Sequence, residues 1–381
     1  MGIILCSFPS RRATVKKASV LYIIRGYPQI SQTYIKTELE AVCDDYDVTI
    51  VSRKPSNVPY NNHLPYHHLT EQDAIKDLIA QVKPDVIHTH YLNQLEFVAP
   101  LATELGIPFT VRSHSYDTLA LRPKPWRGRI RQFLERNTPQ FQKVAKIKEN
   151  LHWANHELCL GVLAFPFARP YLEQQGIRAN QIIDCYPVVN YALFYDRSPN
   201  GNAIMNTGAA IPKKKMEDYI QLASCLPDRE FNLYALGYEV QTLKTLNQAK
   251  GNPVNIILPV EPNEMPPEYK KHQWLVYTAA FDLATVGWPM AIAEAQAAGV
   301  GVCMPNIRPD LQEYVGNGGF LYDSIEQVQA IVTQPVPTEI REAGFLQAKK
   351  SDIQDHKHLL TDLWDRAAMK SSAVEDLTRY R

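Results

Sequence analysis

The sequence contains no apolar run near the ~20 residues a bilayer span requires, and it carries no net charge, Lys+Arg and Asp+Glu each totalling 40. The first absence argues against a membrane-spanning chain. The second argues against nucleic acid, or an acidic partner, held by bulk charge. Cysteine is sparse: six residues, at 6, 43, 159, 185, 225 and 303, with no C-x-x-C pair. That scatter excludes thiol-rich zinc and redox frameworks and suits the reduced core thiols of a cytoplasmic protein. Arg11, Arg12, Lys16 and Lys17 follow the short apolar start instead of preceding it, the reverse of a secretory leader. No G-x-G-x-x-G follows the first strand-like run, against an NAD-type enzyme. His67-His68 and His88-Thr-His90 lack companions at ligand spacing, so no metal site is expected.

At 381 residues the chain exceeds one typical core and suits two domains. Apolar runs alternate with helical patterns, which indicates parallel α/β layers. Strands read at 18–24, 46–51, 85–88, 108–112, 158–164 and 181–186, with helices at 31–42, 71–82 and 95–105. A second series has strands at 203–206, 231–236, 254–258, 274–277 and 300–304, with helices at 216–225 and 240–249. Pro187, Pro199, Asn200 and Gly201 mark a linker near 188–202. The expected fold is α/β: two doubly wound Rossmann-like domains, residues 1–190 and 191–350, facing a cleft. A polar helical segment, 351–381, is expected to return to the first domain. Glu38 and Glu40 on the first helix are expected to be exposed.

The most informative segment is Thr285-Val-Gly-Trp-Pro-Met-Ala-Ile-Ala-Glu-Ala-Gln-Ala-Ala-Gly299. It reads as a tight loop, a short helix opening at Pro289, and a glycine stop. Two readings stand. One is an anion site at a helix N-terminus with no acidic side chain in its first turn. The other is a core helix packed through its alanines, with Glu294 on the wet face.

Several motifs occur together in a defined order. Pro84-Asp-Val-Ile-His-Thr-His90 is similar to P-D-[VI]-[IV]-H-x-H, and Gly106–Asp117 to G-[IV]-P-x-[VI]-x-[ST]-x-H-G-x-D. Tyr27-Pro-Gln-Ile-Ser-Gln-Thr-Tyr-Ile35 is similar to F-P-x-x-S-E-T-[FW]-[IV], and Thr207–Lys215 to G-R-L-x-x-x-K-G. The opening segment is similar to E-G-F-G-x-x-x-x-E-A-x-A-x-G. Over nearly its whole length the chain resembles the GT-B glycosyltransferases, in the retaining group that includes sucrose synthases and lipopolysaccharide and exopolysaccharide transferases.

The resemblance implies a nucleotide-sugar donor gripped mostly by the second domain, with a UDP-hexose such as UDP-glucose the leading donor, and no cofactor. The acceptor, a saccharide or lipid-linked saccharide, would lie mostly against the first domain. Carried over residue by residue, Lys214 neutralises the diphosphate, Gly26 and Gly208 approach the donor, and Trp288, Met290 and Ala291 line it. Glu294 accepts from the ribose hydroxyls. His114 reaches the transferred sugar, and with Lys214 and Glu294 it forms the implied catalytic set. Tyr27, Ser31, Thr33 and Asp117 fall on the acceptor side, Asp117 orienting either His114 or the acceptor. The less favoured readings are a solvated turn for Lys213–Lys215 and a core or loop histidine for His114.

Three positions depart from the family pattern. The first glutamate of the E-x7-E pair is Val286, the arginine of G-R-L is Ala209, and the glutamate of S-E-T is Gln32. Asp282, Lys213 and Lys215 are the candidate substitutes. Charged hydrogen bonds of this kind contribute roughly 1.5–3 kcal/mol each, so a non-catalytic homologue that binds nucleotide, sugar or a partner is a competing reading. A GT-B-like epimerase is a weaker one. Retaining transfer of this kind needs no metal where protein groups neutralise the diphosphate. Nine basic residues between Arg122 and Lys148, interleaved with Trp126 and Phe133, fit either an anionic membrane face on the cytoplasmic side or a solvated basic helix; no nucleic-acid module accompanies them.

Overall fold

The computed structural model describes residues 17–122, 139–282 and 285–379. Two parallel sheets organise them. The first contains β1 (Ser19–Gly26), β2 (Asp47–Lys54), β3 (His67–His68), β4 (Val86–His90), β5 (Phe109–Arg112), β6 (Cys159–Ala164) and β7 (Ile182–Asp184), in the spatial order β3-β2-β1-β4-β5-β6-β7. The second contains β8 (Ala203–Ala209), β9 (Phe231–Leu236), β10 (Asn255–Ile257), β11 (His272–Val276), β12 (Gly301–Pro305) and β13 (Phe320–Tyr322), in the order β10-β9-β8-β11-β12-β13. In both, the order reverses beside the first strand, between β1 and β4 and between β8 and β11. Doubly wound sheets open a crevice at that reversal.

Helices α1 (Thr33–Val42), α2 (Gln72–Val82) and α3 (Leu95–Leu105) cover the first sheet. Short α4 (Ser115–Leu119) follows β5, and α5 (Pro139–Asn150) leads towards β6. In the second domain α6 (Met216–Ser224) follows β8, and α7 (Met290–Ala297) precedes β12. Separate apolar clusters fill the two faces of each sheet. The alternating layers agree with the expected fold, with two strands added. β3 and β13 have two and three residues, too short for any periodicity to register. His67-His68 is an exposed edge strand.

The chain passes between the domains twice at one place. Val189 N–H donates to Ser351 O (2.9 Å), and Ile353 N–H donates to Val189 O (2.9 Å). Beyond this crossing α8 (His358–Arg379) lies on the first sheet. There Trp364 is fully buried and its indole N–H donates to Thr110 Oγ1 (3.1 Å), while Tyr46 donates to Asp365 (2.7 Å). Among the described residues, no helix is long and apolar enough to cross a membrane.

Candidate active site

The carboxyl ends of the two sheets face one another across a cavity of about 410 Å³ lined by both domains, within the size range of small-molecule sites. On the second-domain side, β8 runs three residues past its expected end and delivers Gly208 and Ala209 to the cavity. Gly208 has φ +133°, and a side chain there would collide with Lys214 Nζ. Glycine therefore lets the ammonium lie against the strand end, 5.1 Å from the Tyr277 ring centroid. Burial, followed by the charge of Lys213, lowers Lys214 to about 8. Lys213 also lines the cavity and donates to Thr285 O (3.3 Å). Lys215 turns away to Glu217 (3.1 Å).

Pro289 caps α7 in an extended conformation, and Met290 and Ala291 in the first turn line the cavity. Helix geometry leaves their N–H groups without intrahelical acceptors, at the positive end of the dipole. One turn on, Glu294 lines the cavity floor and accepts from the Tyr269 hydroxyl (2.7 Å). Burial pushes it up to about 7. Trp288 borders the cavity but is largely committed to packing: it stacks on Tyr314 (centroids 4.9 Å apart) and its N–H donates to Asp310 (2.8 Å). Val286 is 4% exposed and packs in the second-domain core while bordering the cavity, its carbonyl accepting from Arg308. Asp282, the expected substitute, does not take its place: it is exposed and does not line the cavity.

On the first-domain side, His114 follows β5 and is 8% exposed. Its Nε2 lies 3.0 Å from His90 Nδ1. The rings of Tyr34 and Tyr91 flank it at 4.4 and 4.5 Å, and their hydroxyls touch. Burial first, then the proximity of His90 and the Arg112 guanidinium, hold His114 well below the usual histidine range. Ser31 and Thr33 line the cavity, and Thr33 reaches Met290 Sδ (3.9 Å) across it. Two polar contacts also join the domains: Lys36 to Asn263 (3.0 Å) at the cavity wall, and Asn61 to Glu261 (2.8 and 3.0 Å) outside it.

Behind His114 stands a cluster that corrects two expectations. Glu38 is 1% exposed, not solvated. Its Oε2 accepts from Arg112 Nε (2.5 Å), and its Oε1 lies 3.0 Å from His88 Nε2 and 3.2 Å from His90 Nε2. Burial alone would raise this carboxyl, but Arg112, His90 and His88 together hold it well below the usual range. The histidine pair thus does have a companion, contributed by another element. The three groups are close enough to approach one ion, yet the Arg112 guanidinium already neutralises the carboxylate, so the donor set does not favour a metal.

Three residues assigned by resemblance do not line the cavity. Gly26 ends β1 beside the Lys54 and Pro55 carbonyls. Tyr27 is 2% exposed and packs edge-on against Tyr60 and Tyr66. Asp117 is fully buried, accepting from the backbone N–H of His114 (2.7 Å) and Leu92 (2.5 Å), and burial pushes it up to about 7 against those bonds. It ties down the His114 loop and does not line the cavity. The single Asp-x-Asp, Asp45-Tyr-Asp47, lies outside the cavity, with Asp45 paired to Lys357 (3.0 Å). Most of the basic stretch, 123–138, is outside the described residues. The sequence reading missed Tyr34, Tyr91 and Tyr269, for which no pattern signals a site, and the role of Glu38, which one does.

Residues 37–140 match the glycosyl transferase 4-like domain. Solved structures superpose over nearly the full chain. Anabaena HepE in complex with UDP-glucose is 15% identical, with 93% of this chain and 99% of that one covered and a TM-score of 0.62. The chain has the GT-B fold. Sucrose-phosphate synthase from Thermosynechococcus elongatus (13% identity, 96% and 100% covered, TM-score 0.61) and a glycosyltransferase from Rickettsia africae (15%, 93% and 99%, 0.60) share it. A sequence search of curated proteins found no match. At these identities the structural likeness is one of fold; for this GT-B chain the chemistry has to be argued from its own cleft.

Proposed function

We propose that this GT-B protein is a glycosyltransferase that moves a hexose from a UDP-sugar, glucose being the leading candidate, to a saccharide or lipid-linked saccharide of an envelope or exopolysaccharide. The observation that carries the proposal is the convergence on one interdomain cavity of Lys214 over Gly208, the α7 N-terminus and Glu294 from one wall, and His114 from the other. A diphosphate would meet Lys214, Lys213 and the N–H groups of Met290 and Ala291, which stabilise charge developing on the leaving group without reorganising. Glu294 would accept from the ribose hydroxyls. Retention follows if the acceptor hydroxyl attacks the face the nucleotide leaves, with the departing phosphate oxygen taking its proton. Those cations make the chemistry metal-independent in this proposal.

Calorimetry with UDP, GDP, ADP and their glucose conjugates tests this directly. UDP and UDP-glucose should bind, with Glu294→Ala abolishing and Lys214→Ala weakening both. Absence of binding by every nucleotide would overturn it. The competing reading, a non-catalytic homologue, draws on Val286 packing in the core where the family places a carboxylate. It predicts nucleotide binding without sugar release or transfer.

A further inference from the structure

We propose that Glu38, acting through His90, fixes His114 as a neutral imidazole with its proton on Nε2, so that His114 faces the cleft as an uncharged, oriented ring and not as a proton carrier. Its relevance to sugar transfer rests on the functional reading above; its chemistry does not.

The argument is one of donors and acceptors. An ionised carboxylate only accepts. Glu38 Oε2 takes the Arg112 Nε–H, and Oε1 takes the Tyr22 hydroxyl (3.2 Å). His88 Nε2 and His90 Nε2 lie 3.0 and 3.2 Å from Oε1 without hydrogen-bond alignment. An anionic oxygen that close repels a nitrogen lone pair and favours an N–H dipole, so both nitrogens carry hydrogen. His88 is completed on its other side by Thr110 Oγ1 (2.8 Å), which accepts from Trp364 and has its own proton to donate to Nδ1. His90, protonated on Nε2, has only a lone pair on Nδ1. That lone pair lies 3.0 Å from His114 Nε2, and the two rings are within 16° of coplanar. The contact is an in-plane N–H···N bond whose hydrogen belongs to His114.

The alternative needs a second proton on His90 and hence a second buried cation beside Arg112. Removing a charge from water is costly unless a partner offsets it, and Glu38 is already engaged with the guanidinium. The other groups facing His114 do not reverse this. Asp117 on α4 is committed to the backbone N–H groups of His114 and Leu92, and the Tyr34 and Tyr91 hydroxyls meet each other. Glu38, His90 and Asp117 are positioning residues, and proton transfer is left to the substrate phosphate.

Long-range 1H–15N correlation spectra of the full-length, deuterated, 15N-histidine protein between pH 6 and 9 test this, with His114→Ala identifying the signals. His114 should show a single Nε2–H tautomer with constant shifts, and Glu38→Gln should give a mixed tautomer or a titrating signal. A proton on Nδ1, a midpoint between pH 6 and 8, or a spectrum indifferent to Glu38→Gln would overturn the proposal. Should Glu38→Gln not fold, the wild-type tautomer alone decides. A separate UDP titration keeps the two readings apart, since failure to bind UDP leaves the tautomer assignment standing.

Discussion

Lys214 and Glu294 are both displaced towards neutrality by burial, to about 8 and about 7, and both would be charged when nucleotide is bound. A diphosphate raises Lys214 again, so affinity for UDP should fall as pH rises above about 8. Glu294 accepts from ribose hydroxyls more strongly as carboxylate than as the neutral acid, so affinity should fall as pH drops below about 7. Calorimetry across pH 5.5–9.5 should give an optimum between the two; Lys214→Arg should remove the alkaline limb, and Glu294→Gln the acid one. A flat profile would detach both residues from the nucleotide. The same burial has a stability consequence. A carboxyl raised above its unfolded value of 4.5 adds stability that is fully present below that value and lost as pH rises through about 7. At pH 8 ionised Glu294 should cost roughly 1–3 kcal/mol. Scanning calorimetry should therefore find Glu294→Gln more stable than wild type at pH 8 and no more stable at pH 4.5. Gly208→Ala places a Cβ into Lys214 at φ +133°; UDP affinity should drop tenfold or more, with the circular dichroism spectrum unchanged. Lys214, Glu294 and His114 were legible because their loop and helix patterns stand out locally. Tyr269, which orients Glu294, has no local signature.

At the level of elements, α1 shows how a charged residue hides in a regular pattern. Ile35, Leu39 and Val42 form its buried stripe, and Glu38, three residues after Ile35, falls on the same face. Helical spacing placed it inward, whereas its residue type suggested solvent. Arg112 on β5 and the two histidines on β4 are what make burial tolerable, and they come from distant sequence. Helix α8 presents the opposite case, a polar segment whose attachment rests on a few apolar side chains. Trp364 packs edge-on against Tyr22 and Tyr46 and bonds Thr110. Trp364→Ala should destabilise the protein by about 3–5 kcal/mol, seen as a lower urea midpoint. A loss under 1 kcal/mol would mean that α8 does not hold the first domain. The longer strands and the helices near 33–42, 72–82, 95–105, 216–224 and 240–249 were readable from their periodicity. The helices Pro139–Asn150 and Thr338–Lys349 were not read, and β3 and β13 were too short to register.

For the whole molecule, the cavity exists only because the two domains meet. Asn61–Glu261 and Lys36–Asn263 join the two domains, and Gly287 lies so close to Ser115 that a Cβ could not be accommodated. Gly287→Ala should therefore hold the domains apart. Small-angle scattering should give a larger radius of gyration than wild type with UDP present, and transfer should fall at least tenfold while UDP still binds. Equal radii would show that closure does not depend on that contact. The paired crossing at Val189 and Ser351 is the place where such a movement would turn, since both connections between the domains pass through it.

By itself the sequence determined the alternating α/β layers, the division into two halves, the glycine and lysine of the β8 loop and the carboxylate on α7. Each depends on neighbours within a few residues, and backbone periodicity and turn chemistry act over that range. Tertiary structure alone decided which groups balance the buried Glu38, that Val286 borders the cavity with Asp282 turned away from it, and that His114 is oriented through His90. Those outcomes depend on electrostatic partners brought together from separate strands and helices, and only the packed sheet removes the water that would otherwise screen them.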